Sequence, residues 1–97
     1  MAVYIFIYSS GFGDREDVKQ ILSRIKGIMS WRYDLPNMFY LQSDLSAFEI
    51  SESIRRIKPN NRFIVSQVTP SQSDGWLPSE SWAFLKDYQV LKTTVEQ

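Results

Sequence analysis

The chain has 97 residues, 43% of them hydrophobic and 14% aromatic, with Lys plus Arg balancing Asp plus Glu at 11 each. That length bounds it to one small domain, and a formal net charge of zero provides no long-range field to hold it on nucleic acid or an anionic membrane. With no Cys and no His, disulfides, thiolate chemistry, zinc sites and histidine-based triads are excluded, so any metal would be a hard cation such as magnesium on carboxylates.

The first strand, Ala2 to Ser9, alternates Val3, Ile5 and Ile7 with Tyr4, Phe6 and Tyr8. Both faces want cover, which makes it the middle of a sheet. Ser9-Ser10-Gly11-Phe12-Gly13 follows as a strand-to-helix turn, too short for a phosphate loop and lacking the third glycine of a dinucleotide fingerprint. Asp14 caps a helix expected to run to about Lys26, with Val18, Ile21, Leu22 and Ile25 as its apolar stripe and Gly27 as its stop. A hairpin comes next, from Ile28–Asp34 through the turn Leu35-Pro36-Asn37 into Met38–Gln42. In its second strand Phe39 and Leu41 are expected to face the helices. Ser46-Ala47-Phe48-Glu49 is a capping box opening a second helix with Ile50, Ile54 and Ile57 on one face, ended by Pro59. Asn60 and Asn61 turn the chain into a fourth strand, Arg62–Val68.

This order is βαββαβ, and the expected fold is α+β: a ferredoxin-like split βαβ with an antiparallel sheet of order 4-1-3-2. Its two right-handed crossovers are expected to set strands one and four parallel. Residues 1–68 form the core. Residues 69–97 form a loop, a short helix beginning near Ser79 and a tail, in which residues 88–95 extend the helix or add a fifth, exchangeable strand; the whole packs on the core or on a dimer partner. Both main helices cover one face of the sheet, and Tyr4, Phe6, Tyr8 and Tyr40 are expected on the other as a dimer interface or ligand platform. No apolar run reaches membrane-spanning length, and Met1 leads straight into the first strand, so a soluble, cytoplasmic protein is expected.

Candidate chemistry is sparse. Asp14 and Asp17 are the carboxylates that a magnesium-dependent nuclease or ribonuclease toxin would use, although both also suit a helix start. Arg55, Arg56, Lys58 and Arg62 concentrate positive charge at the end of the second helix, where they serve the helix dipole or contact phosphates. Val3-Tyr4-Ile5 resembles the first short motif of RNA-recognition domains, in which sheet aromatics stack bases, but Asn37-Met38-Phe39-Tyr40-Leu41 lacks the matching basic-glycine-aromatic pattern.

Gly27 with Trp31, then Phe39-x-Leu41-x-Ser43-x-Leu45-Ser46-Ala47-x-Glu49-Ile50, and the late Trp82-x-Phe84-Leu85 resemble the small bacterial proteins of the SinR family, themselves similar to the ferredoxin-like CRISPR-associated integration subunit and to VapD-type toxins. The resemblance implies a homodimer formed through sheet faces or C-terminal strands, in a mobile-element, defence or toxin-neutralising setting. For nuclease members it also implies an Asp directly after strand one. Here Ser9 and Ser10 stand there instead, and a serine hydroxyl lacks the charge to hold a hard cation. The expected function is therefore that of a non-catalytic homodimeric binding protein without cofactor, engaging a protein or nucleic acid. The nuclease and the RNA platform are the alternatives.

Overall fold

The computed structural model describes residues 1–86. They form a four-stranded antiparallel sheet, β1 (Ala2–Tyr8), β2 (Ile28–Arg32), β3 (Met38–Ser43) and β4 (Phe63–Gln67), in the order β2-β3-β1-β4. The expected strand order is present, but β4 runs antiparallel to β1, pairing Tyr4 with Gln67 and Tyr8 with Phe63. Because β2 and β3 form a hairpin and α2 then returns the chain, β4 necessarily enters the sheet against β1. The expected parallel pairing is corrected on that ground.

Helix α1 (Arg15–Ser23) starts at a reciprocal box: the Asp14 carboxylate accepts from the Asp17 N–H, and the Asp17 carboxylate accepts from the Asp14 N–H, each at 3.0 Å. It stops a turn before Lys26. The Arg24 and Ile25 N–H groups bond to Ile21 and Leu22 in tightened turns, and Gly27 then takes a φ of 99° with the Leu45 side chain pressed against it. Helix α2 (Ala47–Ile57) opens at Ser46 with the expected box to Glu49. A third helix, α3, begins at Ser79 and is described over residues 79–86. The alternatives for residues 88–95 lie outside the described residues.

The main core lies between the sheet and α1 and α2, where Val18, Ile21, Leu22, Ile50 and Ile54 meet Phe39 and Leu41 of β3 and Tyr4, Phe6 and Tyr8 of β1. The face assignment of β3 holds, whereas that of β1 is inverted. The register explains why. Tyr4 sits opposite Leu41 and Phe6 opposite Phe39, and directly paired residues share a face, so the β1 aromatics follow β3 to the helix side. Two short helices with aliphatic stripes leave volume above the strands that rings fill. Phe6 packs edge-on to Phe12 and to Phe63, with centroids 5.9 Å away in both cases, and Tyr8 stacks on Phe39 at 6.1 Å. The Tyr4 hydroxyl reaches through this layer to donate to the Leu45 carbonyl at 2.6 Å, which satisfies its polar end. Burial, reinforced by Glu49, pushes its ionisation up.

Candidate functional site

The second face of the sheet consists of cross-strand rows. Val68, Val3 and Gln42 form one, Ser66, Ile5 and Tyr40 the next, and Ile64, Ile7 and Met38 the last. The chain itself covers the β1 and β3 part of the first two, leaving Ser66 exposed. Leu85 is buried against Val3, Met38 and Tyr40, with Leu77, Trp82 and Phe84 packed around them, so the C-terminal segment folds back as the sequence requires of so apolar a stretch. Tyr40 is thus on the expected face but enclosed. Its phenol is pushed up to about 12, first by burial and then by the nearby Asp34 charge, against a smaller opposing effect of Arg32.

A polar network ties α3 to the hairpin beneath it. Arg32 Nε donates to Ser81 Oγ at 2.6 Å, Ser81 Oγ donates to the Asp34 carboxylate, and Arg32 and Asp34 form an ion pair at 4.0 Å. Gln42 accepts from Ser30 Oγ and donates through Nε2 to the Phe84 carbonyl at 3.0 Å. Every buried side-chain polar atom among the described residues has a partner, so this covering is specifically bonded rather than merely apolar.

In the last row Met38 is buried, but Ile7 and Ile64 stay uncovered by the described residues. Ile7 and Ile64, directly paired, are 47% and 57% exposed, and Leu35 and the almost wholly exposed Trp76 add exposed apolar side chains along the neighbouring groove. Between this row and the C-terminal segment runs a groove of about 610 Å³, floored by Ile5, Met38 and Tyr40 and walled by Trp76, Leu77 and Trp82. Its size falls within the ~300–1,000 Å³ of ordinary ligand clefts. Its outer wall, residues 66–75, is polar and turn-rich, with Asp74 as its one charged residue.

A second, more polar cleft of about 400 Å³ follows the outer side of β4, lined by Phe63, Ile64 and Val65 together with Ser51, Arg55, Asn61 and Arg62. Here the structure brings together two of the four basic residues at the end of α2. Arg56 and Lys58 do not line the cleft, and Glu52 pairs with Arg55 one turn back along the helix.

The candidate catalytic carboxylates are occupied elsewhere. Asp14 and Asp17 face each other across the N-terminal turn of α1 as caps, and among the described residues no three Asp or Glu side chains converge. The aromatic platform is not assembled: Tyr4, Phe6 and Tyr8 are buried under the helices and Tyr40 under α3. The residues that reasoning from pattern misses are Ile7, Ile64, Leu35 and Trp76. The signal for the first two lies in the register: with Phe6 opposite Phe39, the helix-side assignment of Phe39 and Leu41 carries the even-numbered β1 residues with it and leaves Ile7, paired with Ile64, outside. None of the described helices is long and apolar enough to cross a membrane. No family model, curated protein or solved structure matches the chain.

Proposed function

We propose that the protein is a non-catalytic binding protein that forms a homodimer through the uncovered part of its second sheet face. The observation that carries this reading is the open Ile7–Ile64 pair, placed beside a groove that Leu35 and Trp76 extend with further exposed apolar surface. Several large exposed apolar side chains on one face of a small domain mark a candidate interaction site. The same face is already bonded shut over its other half, which favours association through the Ile7–Ile64 pair that the described residues leave uncovered. A defence, mobile-element or toxin-neutralising role is supported only by the family resemblance, of which the Leu-Ser-Ala-x-Glu-Ile helix start is the most specific part.

Light scattering on a sizing column tests the dimer. The wild type is expected at twice the chain mass and Ile7→Arg at the chain mass, with unchanged far-ultraviolet circular dichroism. Ile7 is the right position because its side chain reaches solvent, whereas arginine at the fully buried Phe6 would unfold the domain and report nothing about association. A wild type that stays monomeric at all concentrations tested would overturn the proposal, as would an Ile7→Arg dimer.

A further inference from the structure

The outer edge of β4 remains after the sheet faces have been accounted for. It differs from the other sheet edge, since β2 carries a register shift between Ile28 and Ser30 that interrupts a regular ladder. In β4 the register against β1 is continuous. The Val68 N–H bonds to the Val3 carbonyl and the Ser9 N–H to the Arg62 carbonyl, so the even-numbered residues direct their backbone groups at β1. By the two-residue alternation of an antiparallel ladder, Phe63, Val65 and Gln67 turn their N–H and C=O groups outward, where no strand lies beside them among the described residues. These groups form a straight template for one further strand.

We infer that this edge takes up an extended segment of a partner protein by strand addition, and that the segment alternates apolar with acidic side chains. The inference rests on the reading of the chain as a binding protein and names its partner's chemistry. An added residue directly opposite a β4 residue shares its face. A side chain opposite Ile64 would therefore continue the apolar row of Ile7 and Ile64, and one opposite Ser66 the row of Ile5 and Tyr40. Side chains opposite Phe63 and Val65 would enter the cleft lined by Arg62 and by Arg55, whose guanidinium also pairs with Glu52, and the remaining positive charge favours carboxylates there. The β4 strand of a second copy is the poorer occupant, because residues 62–69 contain no carboxylate and would bring only another Arg62 to a basic edge.

The probe is a blocked, fluorescein-labelled heptapeptide of alternating valine and glutamate, read by anisotropy and by amide shifts in nitrogen-15-labelled full-length protein. Binding is expected, with the largest shifts at Phe63, Val65 and Gln67. A valine–lysine peptide should bind at least tenfold more weakly, and N-methylation of alternate peptide amides should abolish binding. The double variant Arg55→Glu, Arg62→Glu should reverse the charge preference; both sites lie at the surface, and a retained circular dichroism spectrum confirms the fold. Equal binding of the two peptides, tolerance of N-methylation, shifts confined to the 610 Å³ groove, or no binding would each overturn the inference. So would concentration-dependent protection of the Phe63, Val65 and Gln67 amides without peptide, which would identify a second copy as the occupant. The mass measurement on Ile7→Arg is independent of all these outcomes, so loss of the dimer and loss of the edge site are distinguishable.

Discussion

Neighbouring residues of β1 should respond to truncation in opposite ways. Phe6 is fully buried, with the rings of Phe12 and Phe63 each 5.9 Å away, and it pairs with Phe39 across the strand. Removing a buried Phe side chain costs roughly 3–5 kcal/mol, a large part of the roughly 5–15 kcal/mol that holds a small domain together. Ile7 is 47% exposed, so only about half of a transfer energy of roughly 1.5–3 kcal/mol is at stake, or about 1 kcal/mol. Urea titrations of Phe6→Ala and Ile7→Ala, followed by circular dichroism at several protein concentrations, measure both costs. The Phe6→Ala loss should be independent of concentration. The Ile7→Ala loss should shrink on dilution, because stabilisation by a second copy follows mass action. An Ile7→Ala cost equal to or above that of Phe6→Ala at limiting dilution would refute the assignment of the two sheet faces.

Alkaline pH should loosen the domain through Tyr40. Its phenol ionises near 10 when unfolded and at about 12 when folded, so between those values the unfolded state holds fewer protons and stability falls as pH rises. At about 1.4 kcal/mol per pKa unit the loss by pH ~12 is on the order of 2 kcal/mol, and a Tyr40→Phe variant should show a correspondingly flatter urea midpoint across this range; an identical slope would refute the assignment. Replacing Asp34 with alanine leaves Ser81 Oγ without its acceptor and Arg32 without its counter-ion, at a cost of about 1–3 kcal/mol. Amide exchange over residues 79–86 should then accelerate while β1 and β3 stay protected. Unchanged exchange in α3 would show that the network does not hold the helix down.

Much of the fold was legible because its punctuation is local. The Ser46–Glu49 box, the helix start at Asp14, Gly27 with its positive φ and the onset of α3 at Ser79 each depend on a few adjacent residues whose chemistry allows little else. Lengths were less legible. The stripe Val18, Ile21, Leu22 and Ile25 continues at helical spacing past the point where α1 ends, since Ile25 remains buried on a tightened turn and keeps the pattern without the helix.

The faces of β1 were the decisive misreading, and the reason is physical. Alternation says which side chains travel together, but it does not say which set meets the helices. An aromatic row looks like a surface awaiting a ligand when counted by composition; here it fills the depth that short helices of nine and eleven residues leave above the sheet. Cross-strand pairing resolves the ambiguity, because the β3 assignment and the β1 assignment cannot be chosen separately once Phe6 faces Phe39. The candidate site inherits this logic. Ile7 and Ile64 are ordinary strand residues that the described part of α3 does not cover, and the outward backbone groups of Phe63, Val65 and Gln67 follow from β4 being last in the strand order among the described residues. Neither property belongs to a residue type or a spacing, so a site made of an uncovered row and an unpaired edge becomes visible only when the strands are put in order.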